Sequence, residues 1–221
     1  MAGEQGRLEI IYDEVDGVWR SFISVEVEKP LYIDLGVINL ATLWFEGLKQ
    51  PTAFSGRNIL ADWWYWTKKI SEEQSRIARI NKAKTSKKIR RLYRIRQRRF
   101  RHAVNAMVKA IVEDAAQLGI SKIMLGDLRG IRESNHKNNK ANSMIHNFWS
   151  FRYIIRRFRE KAEEYGIAVV EISECKTSTK CPRCCSENAV TSRRLFKRLN
   201  CGLKANRDAV GALNIGLAQG A

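Results

Sequence analysis

The sequence lacks the features that would place it in a membrane or in an oxidising compartment. None of its apolar stretches approaches the ~18 to 20 residues that a membrane-spanning helix needs, and its first residues do not resemble a secretory signal. Four of its five cysteines lie in the last 41 residues, so we expect no general disulfide framework. We therefore predict a cytoplasmic protein with no membrane partner.

Acidic residues are scarce in one long segment of the chain. Between Lys68 and Lys109 there are 16 Lys and Arg residues but only two acids, Glu72 and Glu73, and the segment therefore carries +14 of the formal net charge of +17. A solvated helix normally alternates its charges, so a segment this one-sided predicts a polyanionic partner. Nucleic acid is the first candidate, and an anionic membrane surface is the second.

The hydrophobic pattern predicts an α/β fold. Strands are expected in a β-hairpin over 8–28 and over 31–36, 40–46, 51–55, 122–128 and 167–172. Helices are expected over 62–81, from a cap at Ser86 to about Leu118, over 146–165 and over 206–218. Strands interspersed with helices indicate a sheet that carries helices on its faces.

The two helices of the basic segment are expected to form an antiparallel hairpin over 62–118. Basic residues of the second helix recur at spacings of three and four, on or next to one face. They are Lys87, Lys88, Arg90, Arg91, Arg94, Arg98 and Arg101. Guanidinium groups match the geometry of phosphates, and such contacts give a strongly salt-dependent affinity. We predict that this face binds nucleic acid.

Two aspartates stand in short motifs near the two ends of the expected core. Asp34 lies in YIDLGVINLAT at the head of a strand, and Asp208 lies in NRDAVGALNIG in the first turn of a helix. Taken singly, each has an ordinary structural explanation, a turn cap for Asp34 and the helix dipole for Asp208. Hydrolysis of phosphodiesters by two metal ions needs several carboxylates at one place. Whether a third acid joins the two aspartates is therefore the decisive point.

Taken together, these motifs resemble the TnpB (OrfB) family of transposon-encoded proteins, which shares a RuvC-like nuclease core with the type V CRISPR effectors. The resemblance rests on the two aspartate motifs, the basic hairpin, a strand that ends in Asp-Leu and a loop rich in cysteine. It implies an RNase H-like (RuvC) core over 30–174 and 206–221, with the hairpin inserted and a degenerate zinc-ribbon-like insertion over 175–205. Residues 1–29 would then be the remnant of an upstream barrel, and the chain would be the C-terminal half of a full-length member.

The resemblance implies that Asp34 and Asp208 are catalytic and hold magnesium. It also places a glutamate of the family's second motif at Gly126, in KIMLGDL. Asp127 is the neighbouring acid, but consecutive strand residues point to opposite faces. It would substitute for the glutamate only if a local bulge re-aimed its side chain.

The resemblance further implies a zinc site whose ligand set is incomplete. Cys181 and Cys184 form a CxxC pair and Cys201 resembles the end of a second pair, but the family's fourth cysteine is replaced by Arg198. Cys185 or Cys175 would have to complete the shell, and adjacent ligands such as Cys184 and Cys185 strain a tetrahedral site. A zinc ribbon and a metal-free basic loop with reactive thiols both stay open.

The leading hypothesis is a TnpB-like, transposon-associated protein that binds DNA and a guide-type RNA on a nuclease scaffold with impaired catalysis. A separate N-terminal chain is a further candidate partner. Two alternatives stay open. One is an active, metal-dependent, RNA-guided DNA endonuclease that uses Asp34, Asp208 and Asp127, and the other is a decayed transposon remnant.

Overall fold

The structure is a computed structural model, and it describes a central sheet, four helices and two smaller sheets. The described residues are 6–13, 18–25, 29–81, 84–127, 148, 150–173, 180–186, 189–192, 194–198 and 201–217. Within these ranges, no helix is both long and apolar enough to cross a membrane.

The central sheet is mixed. Its strands are β3 (Pro30–Asp34), β4 (Asn39–Phe45), β5 (Thr52–Ser55), β6 (Lys122–Asp127) and β7 (Ala168–Ser173), in the spatial order β5-β4-β3-β6-β7. β3, β4 and β5 pair antiparallel, whereas β6 is parallel to β3 and β7 is parallel to β6. Because β3 and β6 run in the same direction, their carboxyl ends meet at one edge of the sheet. The predicted α/β class is confirmed.

Helices cover both faces of this sheet. They are α1 (Arg57–Asn81), α2 (Lys87–Gln117), α3 (Phe151–Glu163) and α4 (Arg207–Leu217). The strand residues Ile33 and Leu125 are fully buried in the larger core, which also contains residues of α2 and α3. Their neighbours Tyr32 and Met124 pack on the opposite face with Ile215 of α4. Strand alternation therefore assigns the two faces to different helices.

α1 and α2 pack against each other as an antiparallel pair. Their polar contacts join Glu73 to Lys88 at 2.8 Å, Thr67 Oγ1 to Arg96 Nη1 at 2.9 Å and Asp62 to Arg99 at 2.8 Å. From one pair to the next, the residue number in α1 decreases while the residue number in α2 increases. The two helices therefore run in opposite directions.

The base of the helix pair is anchored by aromatic side chains. The ring of Trp63 meets the rings of Phe100 and Phe148 edge to face, with centroids 6.0 and 5.4 Å apart. The guanidinium of Arg96 lies 3.9 Å from the centre of the Trp63 ring. These contacts fix the start of α1 and the middle of α2 on the larger core.

Two smaller sheets accompany the central one. β1 (Gly6–Asp13) and β2 (Val18–Val25) form the predicted hairpin, with Tyr12 opposite Trp19. β8 (Ala189–Ser192), β9 (Leu195–Arg198) and β10 (Lys204–Asn206) form an antiparallel sheet in the order β10-β9-β8. α4 begins at the residue that follows β10, so this second sheet leads directly into the helix.

Several predicted boundaries were wrong. α1 begins at Arg57 rather than at 62, because Leu60 N–H already donates to Gly56 C=O at 2.8 Å, although the first turn carries no acid to signal it. α3 is described from Phe151, where Tyr153 N–H and Ile154 N–H donate to Ser150 C=O, and residues 146, 147 and 149 of the helix predicted over 146–165 lie outside the described residues. The cysteine-rich segment, which was predicted as a loop, contains three strands of three or four residues. Strands this short are too brief to show a recognisable alternation in the sequence.

The N-terminus of α2 provides a stability test. The Ser86 side chain accepts a hydrogen bond from Ile89 N–H at 3.1 Å, as the predicted cap requires. We expect Ser86→Ala to lower the free energy of unfolding by about 1 kcal/mol. Ser86→Asp keeps an acceptor and suits the helix dipole, so its stability should match the parent in urea unfolding. Equal stability of the two variants would contradict the role of this cap.

Candidate functional site

The structure brings Asp34 and Asp208 together. Asp34 ends β3 on the face that α4 covers, and Asp208 lies in the first turn of α4. Burial and, after it, the charge of Asp208 raise the pKa of Asp34 to about 7, and Arg207 partly opposes this shift. The two carboxyl groups therefore interact electrostatically.

Two glycines allow α4 to lie this close to the sheet. A Cβ atom on Gly211 would lie 2.6 Å from Asp34 Oδ2, and one on Gly216 would lie 2.6 Å from Trp44 Cζ3. Both distances are far below van der Waals contact. Any larger residue at these positions would push the helix, or the side chain below it, out of place.

Two side chains that sequence reasoning missed hold Asp208. Asn39 Nδ2 and Arg194 Nη1 each donate to Asp208 Oδ2 at 2.8 Å. Asn39 begins β4 and belongs to the Asp34 motif, which was the available signal. Arg194 comes from the segment between β8 and β9, and nothing in the sequence pattern pointed to it. One oxygen of Asp208 is thus shared by an amide and a permanent cation.

Gly126 lies beside Asp34, on the neighbouring strand of the sheet. Leu125 of β6 is paired with Ile33 of β3, so Gly126 and Asp34 are the next positions of the two strands. Alternation places both on the α4 face with Met124 and Tyr32. Asp127 follows in β6, opposite Ser173, and its side chain lies outside the described part of the structure. Among the side chains that are described, no third acid joins the two aspartates in a cluster of metal-ligand spacing.

Three predicted ligands do form a cluster in the cysteine-rich segment. The sulfur atoms of Cys181, Cys184 and Cys201 all lie within 4.8 Å of one another, and those of Cys181 and Cys201 are 3.6 Å apart. Cys185 is exposed and lies outside this cluster, in the left-handed region at φ 54°. Cys175 lies outside the described residues.

Arg198 points into the same small core. Its side chain is 1% exposed, and none of its three guanidinium nitrogens makes a hydrogen bond of normal geometry within the described residues. The pKa of Cys184 is lowered to about 6, first by the backbone N–H of Ser186 and then by Cys181, Cys201 and Arg198. The guanidinium therefore lies beside the Cys184 thiol.

The basic face of α2 is exposed, as predicted. All seven basic residues named for it are exposed to solvent. Lys88 is bound to Glu73 at 2.8 Å, and the guanidinium of Arg101 lies 5.3 Å from the centre of the Tyr153 ring. Within the described residues no ion pair engages the remaining five, which are Lys87, Arg90, Arg91, Arg94 and Arg98. We call these five residues the cationic stripe.

Comparison with known proteins places these features in a family. One family model, described as a probable transposase, matches residues 24–132, and a second, described as the Cas12f1-like TNB domain, matches residues 151–215. TnpB-like protein ORF457 of Acidianus two-tailed virus is 26% identical over 249 residues, which cover 96% of this chain and 52% of that protein. The CRISPR-associated endodeoxyribonuclease Cas12f1 of Sulfoacidibacillus thermotolerans is 26% identical over 234 residues, or 95% and 52% of the two chains.

These matches support a relation of this chain to the TnpB family, which is itself related to the type V effectors. The chain spans about half the length of the curated relatives it matches. The probable-transposase match contains Asp34, the cationic stripe and Gly126. The TNB match contains the cysteine cluster and Asp208.

Solved structures show the same fold. A cryo-EM structure of a Cas12f1-sgRNA-target DNA complex superposes with a TM-score of 0.64 at 17% identity, covering 94% of this chain and 55% of that chain. The mini-RNA-guided endonuclease CRISPR-Cas_phi3 gives a TM-score of 0.54 at 15% identity, with coverages of 86% and 44%. The mixed sheet with its helices therefore has the architecture found in these effectors.

The shifted pKa of Asp34 predicts how stability depends on pH without divalent metal. Between the ordinary value of 3.8 and about 7 the folded state holds a proton that the unfolded state has lost. The free energy of unfolding should therefore fall as pH rises through this window, by up to about 1.4 kcal/mol per pH unit.

Asp34→Asn should remove this dependence, and urea unfolding at a series of pH values measures the difference between the two proteins. Glu46→Gln, which removes an exposed carboxylate, controls for the general effect of charge. A difference in the free energy of unfolding between the parent and Asp34→Asn that stays constant from pH 4 to pH 7 would contradict the raised pKa of Asp34.

Proposed function

We propose that this chain is a transposon-associated, nucleic-acid-binding protein whose RuvC-like nuclease scaffold is catalytically impaired. The observation that carries the proposal is the position of Gly126. It lies beside Asp34, on the same face of the sheet, where a carboxylate would have to complete the acid set. Glycine contributes no ligand atom from a side chain.

The remaining acids are poorly suited to a pair of magnesium ions. Magnesium would activate water and stabilise the developing charge, but two ions need several ionised carboxylates. Without metal, Asp34 has a pKa of about 7 and is therefore only about half ionised in neutral solution. Asp208 already carries the Arg194 cation on Oδ2. The described residues do not fit a two-metal site, and we derive no hydrolytic step from them.

The binding part of the proposal rests on the cationic stripe. Its five side chains, which have no ion-pair partner within the described part of the chain, extend over residues 87–98 of one helix, or about 17 Å at 1.5 Å per residue. Fixed, unneutralised cations along one face suit a phosphate backbone. The related Cas12f1 has been solved with sgRNA and target DNA, and we propose DNA and a guide-type RNA as the partners here.

The proposal includes the domain organisation. We assign the RuvC-like core to 30–174 and 206–221, with the helix pair as an insertion and a ribbon over 175–205. The hypothesis of a separate N-terminal partner is tested by purifying the chain from cells and identifying the protein and nucleic acid bound to it. Bound RNA of one defined sequence would support a working module, whereas random fragments or none would favour a decayed remnant.

A cleavage assay tests the impairment. We expect the parent chain, with its co-purified nucleic acid and magnesium or manganese, to cut single- and double-stranded DNA no faster than Asp34→Ala. Gly126→Glu restores a carboxylate beside Asp34 and should raise the rate at least about tenfold over the neutral control Gly126→Gln.

The gain should vanish in the Gly126→Glu, Asp34→Ala double variant, because the new acid acts with Asp34. Cutting by the parent chain that Asp34→Ala abolishes would overturn the impaired state. It would favour the alternative in which an acid such as Asp127 completes the site.

Binding titrations across salt concentrations test the cationic stripe. Arg94→Gln with Arg98→Gln removes two cations of the stripe. A plot of log affinity against log salt concentration should therefore become shallower, its negative slope decreasing in magnitude by about two. The matched control is Arg76→Gln with Arg99→Gln, which removes the same charge from arginines already paired with Glu73 and Asp62. The control should keep most of the affinity. Equal losses would mean that total charge, rather than the stripe, determines binding.

A further inference from the structure

The three-cysteine cluster has a cation at the place of its missing ligand. Arg198 stands three positions before Cys201, where a second CxxC pair would supply the fourth sulfur. It lies in β9, and its backbone N–H donates to Leu203 C=O at 2.9 Å. Arg198 is thus held at the end of β9, close to the start of β10 at Lys204.

The Arg198 side chain is buried on the inner side of β9 rather than extended into solvent. In β9 exposed and buried residues alternate, with Leu195 and Lys197 outside and Phe196 and Arg198 inside. A guanidinium remains charged at any pH at which the protein folds, and a buried charge needs an acceptor of opposite sign. No hydrogen bond of normal geometry reaches its nitrogens within the described residues, and the thiol of Cys184 lies beside it.

A zinc ion held by these three thiols would have the guanidinium of Arg198 beside it. Zinc brings two positive charges into a tetrahedron of about 2.3 Å metal–sulfur bonds. The buried Arg198 head would then lie against the ion, which adds repulsion and blocks the fourth position. Cys185, the other cysteine that the structure describes, does not complete the shell, because it lies outside the cluster of three sulfurs.

We propose that the Arg198 guanidinium takes the place of the structural zinc ion in this ribbon, which folds around the three thiols without metal. The cation then serves as the electrostatic centre to which Cys181, Cys184 and Cys201 are drawn. This inference concerns the folding of the ribbon, so it stands or fails separately from nucleic-acid binding and from cleavage.

The surrounding contacts show how a metal-free ribbon keeps its shape. Cys181 and Phe196 are fully buried with Val210 of α4. Asn214 of the same helix donates its side-chain N–H to Lys180 C=O at 2.7 Å. An apolar core and a hydrogen bond to α4 therefore supply part of the restraint that a metal gives to a free-standing ribbon.

The first experiment measures metal in the parent chain. The reduced protein is purified from cells grown with added zinc, and its zinc content is determined by mass spectrometry. We expect far less than one zinc per chain and a melting temperature that EDTA does not change. One zinc per chain that survives dialysis, or a lower melting temperature in EDTA, would overturn the proposal.

The second experiment restores the ligand. Arg198→Cys should bind one zinc per chain, and cobalt(II) added in its place should give the absorption bands of a tetrahedral thiolate site. The matched control is Lys197→Cys, which adds a cysteine at the adjacent, exposed position of β9 and should gain neither. A folded Arg198→Cys without metal would overturn the proposal.

A third variant keeps the test decisive if Arg198→Cys does not fold. Arg198→Ala removes the cation and leaves three thiols with an open fourth position, which water can occupy. We expect it to bind cobalt(II) at least tenfold more tightly than the parent chain. An affinity equal to that of the parent would show that Arg198 does not exclude the metal.

Discussion

The close packing of α4 on the central sheet is the contact on which the rest of this site depends. It requires Gly211 over Asp34 and Gly216 over Trp44, because a single added carbon at either position would collide with the side chain below. The same packing buries Asp34 beside Asp208 and raises its pKa. The two glycines therefore allow the contact that brings the two aspartate motifs together.

Two arginines lie beside groups that are candidate metal ligands. Arg194 donates to an oxygen of Asp208, and Arg198 lies beside the Cys184 thiol. Both belong to the segment around β9, four residues apart. An arginine supplies one permanent positive charge and can hold anionic neighbours in place. Unlike a divalent metal ion, it is not a Lewis acid and cannot activate water for hydrolysis. In the proposed view, the scaffold keeps the electrostatic balance of the family site while giving up its chemistry.

Much of this arrangement could be predicted from the sequence because it depends on local pattern. The alternation of β3 and β6 puts Asp34 and Gly126 on one face, and the Ser86 cap locates the start of α2. The pairing of Arg194 with Asp208 could not be predicted, because it joins two different elements of the fold. In the sequence, Arg194 looks like any other surface arginine. The three short strands of the cysteine-rich segment were missed for a related reason. Strands of three or four residues contain too few alternations to establish a period.

Because β10 leads directly into α4, the small sheet also helps to hold that helix in place. No linker separates Asn206 from Arg207, and the small sheet reaches α4 again through Val210, Asn214 and Asp208. Deleting the ribbon would remove the arginine that holds Asp208 and uncover the apolar side of the helix. A lineage that no longer needed zinc could therefore lose the metal ligand far more readily than the segment that carried it.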